Sequence, residues 1–233
     1  MRSFHRIYHF FSLVTLVFAF GVVVLGAYVR LTDAGLGCPD WPVCFGELFA
    51  PLTDAEQQAA SKAFPGVEVD ATKAWREMVH RYAAAILGIL ILILALLSFF
   101  QGARTVGAVI TSWLLVAAVI FQAWLGKLTV DYLLQPQIVV GHLMGGLMIL
   151  ALLRWLTLQV NPDVAQPSGL IGGWRWLATI GVLVLAGQLF LGGWTSANYA
   201  AYGCPDFPLC QGELIPKADF KTAFDFSQTD VLG

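Results

Sequence analysis

Long apolar stretches alternate with short polar connections along this chain. Five of these stretches carry few charges, and each is about as long as the roughly 20 helical residues that cross a bilayer. They predict spans at about 10–29, 77–101, 105–126, 138–158 and 176–195. The pattern therefore predicts an all-α membrane protein in which a four-helix transmembrane bundle is followed by one further helix and its loop.

The composition supports a membrane protein that does not bind nucleic acid. Hydrophobic residues make up 58% of the 233 residues and charged residues only 12%, with a mean hydropathy of +0.73. A soluble domain of this length carries about 25% charged residues. The 13 Lys and Arg do not outnumber the 15 Asp and Glu, so the basic excess that a phosphate backbone requires is missing. Membrane lipid is the expected surrounding.

An internal repeat relates the two ends of the sequence. Residues 36–48 and 202–214 are identical at nine of thirteen positions, with an offset of 166. The same offset aligns Gly21 with Gly187 and Gly26 with Gly192, so the first span corresponds to the fifth. The repeat predicts a tandem duplication of a four-helix unit.

The offset also predicts how the chain divides. Residues 1–158 would form the first four-helix half, 159–174 a cytoplasmic connection, and 175–233 the start of a second half with one span and an outer Cys loop. Residue 233 corresponds to residue 67 of the first unit, ahead of its second span. We therefore expect an incomplete second half, either because the sequence is a fragment or because the gene has lost its end.

Charges in the connections predict the orientation. One side receives the N-terminus and the 2–3 and 4–5 connections, with five basic residues and one acid; the other side sums to −6. Short basic flanks favour the cytoplasmic side. We expect a retained first helix rather than a signal peptide, a cytoplasmic N-terminus, outer Cys loops and a bacterial plasma (inner) membrane.

The cysteines lie only in the repeated loops, as Cys38/Cys44 and Cys204/Cys210. Each pair has five intervening residues, two of them proline, and an outer location would favour disulfides. Zinc is an alternative, although its cysteine ligands are usually more closely spaced. A redox-active bridge that exchanges with thiols is a second alternative to a structural one.

Three ionisable residues lie together where the second span begins. Helical spacing puts Glu77 and His80 on one face and pairs Glu77 with Arg81. A second histidine, His142, lies near the start of the fourth span, at a similar predicted depth. Two imidazoles at one level favour a heme or metal site. Gly141, Gly145 and Gly146 would leave room for a flat macrocycle, although small residues also allow plain helix–helix packing.

Basic residues at the same level are candidates to bind heme propionates, since arginine pairs well with carboxylates. They are Arg30, Arg76, Arg81 and Lys127. Two further histidines, His5 and His9, have no third ligand nearby, so we interpret them as non-functional.

These residues as a set resemble the heme A synthase family. The resemblance rests on Arg30-Leu31-Thr32, the stretch from Gly35 to Cys44, Glu77-x-x-His80-Arg81, His142, Asn198-Tyr199, and the stretch from Cys204 to Cys210. It implies an oxidoreductase with eight transmembrane helices in two pseudo-symmetric halves. The family oxidises a ring methyl of heme O to the formyl group of heme A for cytochrome c oxidase assembly.

The resemblance also implies roles for residues of this chain. His80 and His142 would be the axial ligands of the heme iron of heme O, the substrate. Glu77 would be catalytic, and Arg81 and Arg30 would bind the heme. Cys38–Cys44 and Cys204–Cys210 would be disulfides. A heme b site would lie in the second half, beyond Gly233.

The expected partners are heme O and an unidentified electron acceptor, with heme O synthase and a second copy of the chain as candidates. Two other functions use the same features. A b-type heme electron-transfer subunit would need the histidines but not Glu77, and a quinone-linked thiol-disulfide oxidoreductase would need only the cysteines.

Overall fold

The computed structural model describes residues 2–101, 106–161, 174–206, 208–217 and 219–224. Within these ranges the secondary structure is helical, without β-strands. The helices are α1 (Arg2–Leu31), α2 (Asp54–Ala63), α3 (Ala71–Ser98), α4 (Val106–Asp131), α5 (Pro136–Gln159), α6 (Arg175–Ala197) and the short α7 (Phe220–Ala223). The predicted 159–174 connection lies largely outside the described residues.

Five helices, α1 and α3–α6, are long and apolar enough to cross a membrane, which confirms the predicted all-α membrane fold. The helices extend beyond the predicted spans at several ends. Helix α3 begins six residues before the predicted 77, because the Asp70 side chain caps it by accepting hydrogen bonds from Thr72 N (2.8 Å) and Lys73 N (3.0 Å). Counting apolar residues gives the length that a bilayer requires, whereas caps decide where a helix ends.

Helix α2 was not predicted, since it has no apolar stretch. A capping box begins it: the Thr53 hydroxyl accepts from Glu56 N, and the Glu56 carboxylate accepts from Thr53 N at 2.9 Å. These hydrogen bonds with Thr53, together with one from Leu52 N, lower the pKa of Glu56. A Thr-x-x-Glu signal of this kind can be read from sequence.

The first four membrane helices form a closed ring. Helices α1 and α4 each pack against both α3 and α5, so α3 and α5 lie on one diagonal of the bundle and α1 and α4 on the other. Helix α6 packs against α5, where Trp194 and Ala197 contact Val140. Most of α6 is otherwise exposed. This arrangement lets side chains of α3 and α5 face each other across the interior.

A buried tyrosine joins three helices at one end of the ring. The Tyr8 hydroxyl of α1 donates to the carbonyl of Leu94 in α3 (3.1 Å) and shares a hydrogen bond with the Ser112 hydroxyl of α4 (3.0 Å). Buried polar groups are stabilised when they are paired in this way. We call this the tyrosine end of the bundle.

The opposite end, which we call the loop end, carries the segment from Gly37 to Gly46. Cys38, Cys44 and Phe45 are buried there against Ala74 and Met78 of α3. Gly37 lies so close to α3 that a Cβ atom on it would be 2.5 Å from the Lys73 carbonyl carbon and 2.6 Å from Ala74 N. Only glycine permits this approach between two backbones.

Replacing Gly37 by alanine should therefore displace the loop from α3. We expect Gly37→Ala to lower the free energy of unfolding by about 1–3 kcal/mol, the usual cost of forcing atoms into a packed site. Thermal unfolding of the purified protein in detergent measures the effect. Gly21→Ala is the matched control, because a Cβ on Gly21 meets no atom within 4 Å. Equal melting temperatures for the two variants would contradict this packing.

Candidate functional site

The two membrane histidines come from diagonally opposed helices. His80 lies nine residues into α3, about 14 Å along the axis, and His142 lies six residues into α5, about 9 Å along. Both distances run from the loop end, so the two histidines lie at similar depths in the bundle. The ring of helices thus brings both predicted histidines into one region of the bundle interior.

Glycines of the other two helices lie against these imidazoles. A Cβ on Gly26 of α1 would lie 3.0 Å from Cε1 of His80, and one on Gly126 of α4 would lie 3.5 Å from Cε1 of His142. Alanine at Gly26 would press on the His80 ring. Each imidazole is therefore packed against bare backbone on the second diagonal.

His80 retains unused hydrogen-bonding capacity. Its Nδ1 atom is buried and has no hydrogen-bond partner among the described residues. An unsatisfied buried nitrogen is costly in a protein interior unless another group binds the ring, so this donor set fits a ligand held through imidazole nitrogens.

His142 is held by a residue that no sequence motif singles out. Gln122 of α4 is 8% exposed, and its amide reaches Nδ1 of His142 (2.9 Å) and the backbone of α5. A Cβ on Gly145 would lie only 1.7 Å from this amide. The expectation that Gly145 leaves room for a macrocycle was therefore wrong, since Gln122 fills that space. A Cβ on Gly141 or Gly146 would meet no atom within 4 Å, so these two glycines do border open space.

Glu77 is buried beneath the loop, 6% exposed. Its Oε2 accepts a hydrogen bond from Cys38 N at 3.0 Å, and its Oε1 pairs with the Arg81 guanidinium. The predicted i, i+4 pairing of Glu77 with Arg81 is present. Glu77 thus joins α3 to the loop one helical turn from His80.

Arg81 binds backbone carbonyl groups of the Cys38–Cys44 loop. Its Nη1 donates to the carbonyls of Asp40 (2.9 Å) and Val43 (2.7 Å), while Nη2 pairs with Glu77. The Arg81 guanidinium therefore connects Glu77 of α3 with the Cys38–Cys44 loop. Propionate binding by Arg81 stays a prediction, and in this structure its donors face protein groups.

Arg30 connects α1 to the end of α6. Its Nη1 donates to the Tyr199 hydroxyl at 2.8 Å, and its guanidinium lies 4.2 Å from the centre of the Tyr199 ring. The other basic candidates also have protein partners: Arg76 lies over Tyr28, and Lys127 pairs with Asp131. A role for Arg30 in heme binding likewise stays a prediction.

Both cysteine pairs are disulfides, Cys38–Cys44 and Cys204–Cys210. The two loops fold alike: Asp40 accepts from Phe45 N and Gly46 N, and Asp206 accepts from Gln211 N and Gly212 N. Hydrogen bonds from Gly212 N and Gln211 N lower the pKa of Asp206. Bonded sulfurs cannot serve as zinc thiolates, and the described residues contain no cluster of three or more metal-ligating side chains.

The surroundings of the two disulfides differ sharply. Cys38 and Cys44 are both 0% exposed and pack against Ala74 and Met78 of α3. Cys204 is exposed and Cys210 is half-buried. The same loop motif is therefore shielded from solvent in one copy and open to it in the other.

Comparison with known protein families gives a match over nearly the whole chain. Residues 9–230 match the family described as cytochrome oxidase assembly protein, COX15-CtaA. The chain belongs to this family. No solved structure matches it significantly.

Curated relatives of this family member are named heme A synthase. The protein from Shewanella oneidensis is 40% identical over 91% of this chain and 63% of its own length. Those from Alkalihalophilus pseudofirmus and Bradyrhizobium diazoefficiens are each 26% identical, over 91% and 85% of this chain and 67% and 59% of their own lengths. The chain thus spans about 63% of the length of the Shewanella relative.

The difference in exposure predicts different rates of reduction. In the folded protein, a thiol reductant should open Cys204–Cys210 well before Cys38–Cys44, because exchange requires direct attack on a sulfur atom. Differential alkylation followed by mass spectrometry measures each pair separately. Denaturation before reduction is the control and should abolish the difference. Faster reduction of Cys38–Cys44 in the folded protein would contradict the burial described.

Proposed function

We propose that this chain forms the heme O-binding half of a heme A synthase. His80 and His142 would hold the iron of heme O through one imidazole each, from opposite sides of the bundle interior. The observation that carries the proposal is the meeting of two half-buried imidazoles on diagonal helices, each packed against a glycine. The names of the relatives support the same activity.

Oxidation of the substrate methyl group defines what the protein must do. Converting CH₃ to CHO adds the oxygen of one water and releases four protons and four electrons. An electron acceptor must therefore be supplied, and a heme b in a second four-helix half would provide electron transfer. The residues of this chain would orient the substrate and receive protons.

Glu77 is the proposed proton acceptor. Each of its carboxylate oxygens has one protein partner and further lone pairs that can accept a proton. A general base typically contributes 10²–10⁴-fold to rate. Arg81 and Arg30 would neutralise the propionates if substrate displaces part of their present contacts.

The membrane arrangement completes the proposal. The chain would lie in a bacterial plasma membrane with a cytoplasmic N-terminus and both Cys loops on the outer side. Residues 1–158 would form the first half and 175–233 the start of the second. Heme O synthase would deliver the substrate, and a second copy of the chain is a further candidate partner.

The alternative of thiol exchange at the first loop receives no support from the fold. Cys38–Cys44 is 0% exposed at both residues, so an attacking thiolate has no direct route to it. A heme-binding protein without group chemistry differs from the proposal only in the role of Glu77. A variant at that residue separates the two functions.

Glu77→Gln should abolish conversion while leaving substrate bound. Glutamine can still accept from Cys38 N but is not a base, so heme O should accumulate and heme A should fall by about 10²-fold or more. The measurement is extraction and chromatography of hemes from this chain joined to a complete second half and purified from membranes that contain heme O. His80→Ala and His142→Ala are the binding controls and should lose the bound heme O itself.

Two results would contradict parts of this proposal. Wild-type yields of heme A from Glu77→Gln would exclude general-base catalysis by Glu77. Retention of heme O by the double variant of His80 and His142 would exclude these residues as its ligands.

A further inference from the structure

Two apolar side chains of the first Cys loop remain largely exposed. Leu48 and Phe49 follow the Cys38–Cys44 turn, and each is 69% exposed. Phe45 of the same loop is buried and packs edge-on against Phe64, with 5.5 Å between the ring centres. Large apolar residues that stay exposed beside a packed core indicate a contact surface.

This apolar pair is held in a fixed position against α3. The Tyr82 hydroxyl donates to the Leu48 carbonyl, and the rings of Tyr82 and Phe49 lie 6.2 Å apart. The preceding residue of α3, Arg81, binds two other carbonyls of the loop. Adjacent residues of α3 therefore hold both parts of the loop, and the pair lies beside the helix.

Tyr82 lies where the uncharged part of α3 begins. It is eleven residues from the start of the helix, about 16 Å along the axis. The charged residues of α3 all precede it, and residues 82–98 carry no charge. That segment is about 25 Å long, close to the thickness of a hydrocarbon core. Since tyrosine is enriched at the membrane–water boundary, Tyr82 and the pair beside it lie at the edge of the hydrocarbon region.

The pair also continues an exposed apolar face of α3. Tyr82, Ile86, Ile89 and Ile93 follow one another at spacings of three and four residues, so they share one face of the helix. The three isoleucines are exposed. In a helix that crosses a membrane, such a face contacts lipid. Leu48 and Phe49 extend this lipid-facing surface at the loop end.

Helix α6 lies on the other side of the bundle. It packs against α5, and α5 is diagonally opposite α3. The exposed face of α3 therefore points away from the place where the second repeat begins. This position favours lipid over protein as the neighbour of the pair.

The second copy of the loop carries the same feature. Leu214 and Ile215 occupy the positions of Leu48 and Phe49 at the offset of 166, and both are exposed. Adjacent large apolar side chains are unfavourable in water. Their presence in both copies is explained if the loops contact an apolar surrounding.

We propose that Leu48 and Phe49 insert into the bilayer at the loop end of α3, where phospholipid acyl chains cover them. The lipid contact presses the loop against the outer face of α3, while the Glu77–Arg81 pair holds it from within the bundle. This inference goes beyond the proposed function. It depends on the membrane fold and not on heme chemistry.

Spin labelling measures the surroundings of Phe49 directly. The four native cysteines are disulfide-bonded, so a nitroxide reagent reacts only with an introduced thiol. Phe49→Cys is the test variant, Ile89→Cys the lipid-facing reference, and Ser61→Cys, at an exposed position of α2, the aqueous reference. Each labelled chain is placed in nanodiscs of phosphatidylethanolamine and phosphatidylglycerol, with one copy per disc. Mass spectrometry verifies one label per chain.

Collision rates of the nitroxide with oxygen and with a neutral nickel chelate report its immersion, because oxygen concentrates in lipid and the chelate stays in water. The label at position 49 should collide with nickel several-fold less than the label at position 61, and its oxygen collisions should match those at position 89. Ready collision with nickel would place position 49 in water. Rare collision with both reagents would place it beneath protein. Either result would overturn the proposal.

Photocrosslinking tests the same contact while an aromatic side chain is kept. Benzoylphenylalanine in place of Phe49 should, after irradiation in the same nanodiscs, yield chains heavier by the mass of one phospholipid. The same substitution at Ser61 is the control and should yield no lipid adduct. The absence of a lipid adduct at position 49, or a crosslinked dimer at two copies per disc in its place, would overturn the proposal.

Discussion

The buried ion pair between Glu77 and Arg81 is the interaction on which the loop end of the molecule depends. Two charges withdrawn from water are tolerated only if their remaining donors and acceptors are also satisfied. Here the satisfying groups come from the Cys38–Cys44 loop: Cys38 N donates to the carboxylate, and the carbonyls of Asp40 and Val43 accept from the guanidinium. Truncating either side chain to alanine would leave the other charge buried and without its partner, at a cost of about 3–5 kcal/mol.

This constraint reaches the histidine pair through the register of α3. His80 lies between Glu77 and Arg81 in sequence, so the contacts that hold those two residues under the loop also set the rotation of the helix that carries His80. The closed ring then places His142 across the interior, and the Tyr8 hydrogen bonds hold α1, α3 and α4 together at the far end. The contacts of the loop, the ion pair and the bundle thus together position the two imidazoles.

The sequence predicted the features that depend on residues close together in the chain. Apolar length predicted the five spans, and helical spacing predicted the Glu77–Arg81 pair, because both depend on residues close together in the chain. Arg81 was predicted to bind propionates. Its carbonyl partners could not be predicted, because every residue carries a backbone carbonyl whatever its side chain. Gln122 was missed for a related reason. The partners of its amide all belong to α5, and the sequence does not show which helix packs beside it. Gly145, interpreted as space for a ligand, proved to be space for that amide.

The central claim is that His80 and His142 bind one heme iron from opposite sides. Electron paramagnetic resonance of the ferric heme bound to the purified chain tests it most directly. We expect a low-spin spectrum typical of two imidazole ligands, which changes to high-spin when either His80 or His142 is replaced by alanine. A low-spin spectrum that survives either replacement, or a high-spin spectrum of the wild-type chain, would contradict the claim.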